Sequence, residues 1–167
     1  MFIKKANISD IVRIREIYDI AKQYMDNTGN PNQWKKGYPS EEILYNDIEK
    51  EQLYVCVENS IVCGVFMFAI TDDVTYHIIT DGEWKNDEPY AVIHRIASDG
   101  TVKGLFSQVV TFCRKQIKEQ NIRNLKIDTY KDNLTMQHVI EKNGFEKCGT
   151  IYLEDGSPRI AYQLTDI

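Results

Sequence analysis

Ile11, Ile14, Tyr18, Ala21 and Met25 recur at intervals of three and four, an apolar stripe that predicts an amphipathic helix opening near Ser9 and Asp10, after a short strand in "MFIKK". The Gly-, Pro- and Asn-rich run "NTGNPNQWKKGYP", Asn27 to Pro39, ends it, and a second helix is expected from Ser40, with Glu41 and Glu42 suiting the positive end of its dipole. "QLYVCVE" and "IVCGVFMFAI" are β-rich runs joined by Asn59 and Ser60, which reads as a hairpin. A further strand is expected around "VTYHII", then a polar loop, "TDGEWKNDEP". Tyr90 to Ser98 alternates as a strand, placing Tyr90, Val92, His94, Ile96 and Ser98 on one face and Arg95 on the other. Leu105, Phe106, Val109, Val110, Cys113 and Ile117 then return to helical spacing. "NLKIDTY" is a strand, Asn133 caps a helix that stops at Gly144, and "FEKCGTIYLE" and "PRIAYQL" form a closing hairpin around "DGS". The order β-α-α-β-β-β-α-β-α-β-β predicts one α/β (α+β) domain over residues 1–167, with a mostly antiparallel sheet and helices on its faces.

Composition narrows the partners. A net charge of −5 argues against nucleic acid or an anionic membrane, both of which reward basic patches, although a local basic pocket stays open. Cys56, Cys63, Cys113 and Cys148 are far apart and form no C-x-x-C pair, so they read as reduced thiols of a cytoplasmic protein. His77, His94 and His138 are equally scattered, so no metal is expected. No apolar run has the length to span a bilayer.

The chemistry concentrates in "VIHRIASDGTVKGLFSQVVTFC", Val92 to Cys113, where a strand feeds a helix through a short turn. The first N–H groups of such a helix have no partner within it and lie at the positive end of its dipole, which makes an anion site. Gly100 and Gly104 allow close backbone approach, and Lys103 adds a cation. Neither G-x-x-x-x-G-K-[ST] nor G-x-G-x-x-G occurs, so two common nucleotide-binding fingerprints are missing. An ordinary strand-to-helix turn is the competing reading.

Together with "IDTYKDNLTMQHVIEKNGFEKCG", Ile127 to Gly149, this segment resembles the acyl-CoA-binding core of the GNAT N-acetyltransferase superfamily, down to the Asn133 start and the Glu141-Lys142, Gly144-Phe145 ending of the second helix. The resemblance implies a GNAT-like fold of about seven strands and four helices, with acetyl-CoA as co-substrate. It implies that the amides of Ile96, Ala97 and Ser98 meet the pantetheine arm and thioester carbonyl, that Val102, Lys103, Gly104, Leu105 and Phe106 cradle the pyrophosphate, and that Asn133 assists. Thr101 and Phe106 depart from the family's Q/R-x-x-G-x-G/A loop, and Ile140 stands where the family often has a Tyr acid.

Only about one lysine-like amine in 2,500 is neutral at pH 7, so a base should assist attack. His94 is the first candidate, with Glu83 and Asp87 weaker ones; Tyr130 or Tyr152 could supply the acid. Arg95 is expected to hold Asp128 or Glu88. Tyr24, Trp34 and Tyr38 would wall the acceptor site, joined by Met25. The expected activity is transfer of acetyl from acetyl-CoA to a primary amine of a small molecule or peptide by direct attack in a ternary complex, with a homodimer left open. A non-catalytic acyl-CoA sensor is the alternative from another class.

Overall fold

The computed structural model describes residues 1–165. Seven strands, β1 (Phe2–Lys5), β2 (Leu53–Glu58), β3 (Ile61–Ile70), β4 (Tyr90–Ser98), β5 (Asn124–Thr129), β6 (Glu146–Tyr152) and β7 (Pro158–Leu164), form one sheet in the order β1-β2-β3-β4-β5-β7-β6. Helices α1 (Ile11–Asn27), α2 (Glu41–Glu49), α3 (Leu105–Lys118) and α4 (Leu134–Lys142) complete the α/β fold. The pairs β1/β2, β2/β3, β5/β7 and β6/β7 are antiparallel and β4/β5 is parallel, so the mixed, mostly antiparallel sheet is as expected.

Contacts divide the chain into two compact units. The first comprises Met1–Phe68 and His94–Val109. Its β2–β3 hairpin turns at Asn59 and Ser60, both with positive φ (49° and 66°), the conformation that a two-residue turn between twisted strands requires. Ile14, Ile17, Leu44, Leu53, Val55, Val65 and Phe66 are almost fully buried, which is why the α1 stripe and both hairpin strands are apolar. The cap before α1 is Asn7: its side chain accepts from the Ser9 amide while Asp10 reaches back to the Asn7 amide, closing a 3-10 turn that leads into the helix. Ser40 caps α2 as expected, accepting from the Ile43 amide. Gly64 is required on β3 because a Cβ there would stand 2.6 Å from Leu105 Cδ1; its absence seats the first residue of α3.

The second unit comprises Ala69–Ile93 and the described chain from Val110 onward. Here Asn133 caps α4 through the Met136 amide, and Gly144 (φ 87°) ends it. The amides of Gly144 and Phe145 bond the carbonyls of Glu141 and Ile140, a Schellman ending. "VTYHII" is no strand: Val74–Tyr76 is a 3-10 turn, and only Thr80 bridges to Thr150 of β6. Asp73 captures the Thr75 amide, an alternative to the ladder that β propensity alone does not register. The segment then folds over β5, where Lys126 is buried with its ammonium 4.0 Å from the Trp84 ring centroid and 3.8 Å from that of Tyr90.

Candidate active site

In the first unit, Ser98 through Gly104 form the join between β4 and α3. The Asp99 amide donates to the Cys63 carbonyl at 3.0 Å, tying the loop to β3. One Asp99 carboxylate oxygen accepts from the Thr101 amide (3.0 Å) and hydroxyl (2.6 Å); the other meets Arg13 at 2.6 Å. Arg13 also donates to the Val62 carbonyl. Asp99 is thereby neutralised and committed to bracing the loop, and Ser98 Oγ takes the Gly100 amide. Thr101, at the position where the family favours a longer polar residue, spends its hydroxyl inside the loop.

Beyond Thr101 the backbone turns outward. Gly100 and Gly104 have φ of 80° and 70°, and a Cβ on either would meet nothing within 4 Å, so each glycine serves the backbone angle and borders open space. The Gln108 amide donates to the Gly104 carbonyl at 3.3 Å, which puts Gly104 at the start of α3. Lys103 is exposed beside it, while Leu105 and Phe106 are buried. The bulky Phe106 side chain therefore lies in the core. Open glycines, helix-start amides and an exposed ammonium are a donor set that fits a pyrophosphate.

Just before the loop, β4 is irregular. Arg95 has φ of 51°, so the alternation expected across Tyr90–Ser98 does not run through it. Its carbonyl accepts from the Tyr18 hydroxyl at 2.8 Å, and its guanidinium meets Asp47 at 2.5 Å, not Asp128 or Glu88. Burial works to lower the Arg95 pKa, but Tyr38, Asp47 and Tyr18 outweigh it and raise it. Burial pushes the Tyr18 phenol upward, keeping it a donor. Trp34 packs edge-on to Tyr18 (5.6 Å between ring centroids) and tilted to Tyr38 (6.0 Å). Two of the three anticipated aromatic walls therefore gather around Arg95, next to His94. Tyr24, the third, is half exposed.

In the second unit, Tyr130 follows β5, with the Arg159 guanidinium 5.0 Å from its ring centroid and its carbonyl accepting from the Asn133 amide. Asp128 accepts from the buried Tyr76 hydroxyl at 2.7 Å. Tyr152 is partly exposed and lies 3.3 Å from the Thr80 hydroxyl. Glu83 and Asp87 are exposed. All four cysteines are buried, and burial pushes the Cys56 thiol up to about 12, with Cys63 adding to the shift. Among the described residues no group of three or more His, Cys, Asp or Glu could hold a metal ion, and no helix is long and apolar enough to cross a membrane.

Residues 14–145 match the family model of the acetyltransferase (GNAT) family, which covers most of the chain; the protein belongs to that family. An acetyltransferase of the GNAT family from Streptococcus agalactiae shares 28% identity and a TM-score of 0.87, over 99% of this chain and 95% of that one. An acetyltransferase from Staphylococcus aureus Mu50 shares 25% identity and a TM-score of 0.73, over 99% of both chains. An acetyltransferase from Salmonella typhimurium, solved with its cofactor acetyl-CoA, has the same fold at 15% identity and a TM-score of 0.67, over 99% of this chain and 93% of that one. No curated protein matches the sequence.

The sequence reading missed the Arg13–Asp99 brace, the Arg95–Asp47 pair and Tyr18. Their partners are 86, 48 and 77 residues away, and no local pattern announces them.

Proposed function

We propose that this protein is an N-acetyltransferase that acts on the primary amine of a small molecule or peptide, by direct attack in a ternary complex. The observation that carries this reading is the Ser98–Gly104 turn, whose left-handed glycines border open space at the start of α3. Acetyl-CoA supplies the activated acyl group, with its pyrophosphate on the amides of Val102 to Phe106 and Lys103, its arm along Ile96 to Ser98, and Asn133 assisting. His94 holds the proton that the acceptor amine gives up, through water where direct contact is too long, because an imidazole nitrogen can accept a proton. Tyr130 returns a proton to the departing thiolate. The amides beside the bend at Arg95 offer preorganised donors to a developing oxyanion. A cysteine nucleophile is disfavoured, because burial raises the pKa of Cys56, Cys63 and Cys148, and a protonated buried thiol is inert.

Acetyl-CoA thiol release, screened across polyamines, amino acids, aminoglycosides and peptides with products identified by mass spectrometry, tests the reading. Turnover with at least one amine class is expected. Tight acetyl-CoA binding with no turnover by any class would make the protein an acyl-CoA sensor. In the active assay, His94→Gln is expected to lower kcat by about 10²-fold and to alter the pH profile. Unchanged turnover and pH profile would remove His94 from the mechanism.

A further inference from the structure

A cavity of about 310 Å³ lies between the last turns of α1 and the loop that follows it, entirely within the first unit. Its walls include the apolar Met25, Pro31 and Trp34 beside the polar Asn30. Asn30 is only 2% exposed, its amide donates to the Met25 carbonyl, and its side-chain nitrogen donates to the Gln33 side chain at 2.8 Å. Its side-chain oxygen is buried and receives no hydrogen bond. Buried carbonyl oxygens in folded proteins are nearly always met by a donor, so this one is a place for an N–H or O–H carried by whatever fills the cavity that Asn30 lines.

The charged walls set aside no charge for a ligand. Lys22 meets Asp19 at 3.0 Å, Lys35 has a partner of its own, and Lys36 and Asp26 are opposite in sign and exposed to water, which screens them. An ion drawn out of water into the cavity would therefore lack a counter-ion of its own, and an anion would in addition bring negative charge against the Asn30 oxygen. A neutral O–H or N–H meets that oxygen with the right polarity and needs no counter-ion. Trp34 is a shared wall: its ring also packs on Tyr18, whose hydroxyl holds the Arg95 carbonyl beside His94.

We infer that the acceptor is an amine bearing, remote from its nitrogen, a neutral group that donates a hydrogen bond, a hydroxyl or a carboxamide, and that this cavity receives that end. The inference rests on the acetyltransferase reading and specifies its substrate class. The Asn30 oxygen takes the donor, and Met25, Pro31 and Trp34 cover the apolar chain that carries it.

A matched series tests this, in which each donor has a partner of the same size without one: ω-amino alcohols from 4-amino-1-butanol to 8-amino-1-octanol against alkylamines of equal length, and ω-aminoalkanamides against the corresponding ω-aminoalkanoates. At one length the alcohol or the amide is expected to show a KM about tenfold below that of its partner, the size of one hydrogen bond to a buried acceptor, and the two arms tell hydroxyl from carboxamide. Asn30→Ala is expected to erase the difference, and a folded variant that keeps it overturns the inference; the wild-type series decides even where the variant does not fold. Binding is read separately in the presence of CoA, which has no acetyl group to transfer, from the indole N–H resonance of Trp34. That resonance should move on titration with 6-amino-1-hexanol or 6-aminohexanamide at concentrations where hexylamine and 6-aminohexanoate leave it in place. Turnover of amines with no preference for the donor-bearing members, or with a preference for the carboxylates, overturns the inference and leaves the acetyltransferase reading intact. Absence of all turnover removes that reading, and the Trp34 resonance then decides the cavity alone: selective movement supports the donor site and its lack overturns it.

Discussion

Arg95 shows how one residue sets the geometry of the site. A left-handed backbone at a non-glycine residue costs on the order of 1–3 kcal/mol and persists only where its surroundings over-determine it. Here the surroundings are Tyr18 on the carbonyl, Asp47 on the guanidinium and Tyr38 beside it. Asp47 is itself only 3% exposed, so Asp47→Ala leaves a buried cation without its counter-ion. A loss of about 3 kcal/mol is expected, measured by urea denaturation. A loss below about 1 kcal/mol would mean that Tyr38 and water suffice. His94 was legible as a titratable group on the strand before the loop. The bend beside it was not, because φ at Arg95 is imposed by Tyr18 and Asp47 across long sequence separations and has no signature in "HRIAS".

At the scale of elements, the β4–α3 join is braced from within: Asp99 takes the Thr101 amide and hydroxyl, and Ser98 takes the Gly100 amide. Gly104→Ala changes no contact, since its Cβ would enter open space, and acts only through the left-handed φ, at about 1–2 kcal/mol. CoA affinity, measured by calorimetry, is expected to fall several-fold, with a small drop in Tm. Unaltered affinity together with a lowered Tm would show that bound CoA does not need this backbone shape. Both glycines and the strand-to-helix switch were readable in the sequence, as were the Asn133 cap and the Gly144 stop, because these depend on residues within one turn. The 3-10 turn at Val74–Tyr76 was not, because Asp73 intervenes where the residue pattern favoured a strand.

For the molecule as a whole, the buried Lys126 shapes the response to pH. Burial lowers its pKa from 10.5 to about 8, so at neutral pH the fold carries a desolvated ammonium softened by two aromatic rings. Its folded pKa lies below its unfolded value, so this destabilising contribution is present below pH 8 and is relieved as pH rises from about 8 toward 10.5. Cys56 acts in the opposite sense: with its thiol pushed up from 9.0 to about 12, it stabilises the fold below pH 9 and loses that contribution above it. Comparison with Lys126→Met isolates the lysine because Cys56 cancels. The stability of the wild type relative to this variant should rise between pH 7.5 and 9.5 in urea denaturation. A constant difference would place the Lys126 pKa outside that range.

The sequence by itself determined the element order, the single apolar stripe on α1, the hairpin at Asn59-Ser60, the starts of α2 and α4 and the glycine turn that begins α3, and through its motifs the GNAT family. Each depends on periodicity or on chemistry between neighbours in the chain. Only the tertiary structure decided which charge meets which: Arg95 with Asp47, Arg13 with Asp99, and Lys126 with two aromatic rings in place of a carboxylate. It also gathered Trp34 and Tyr38 around Tyr18 and left the Asn30 oxygen without a donor in a cavity lined with lysines. The physical reason is that a charge or an orphaned carbonyl is satisfied by whatever folding brings within about 3 Å, and burial sets how much that partner matters.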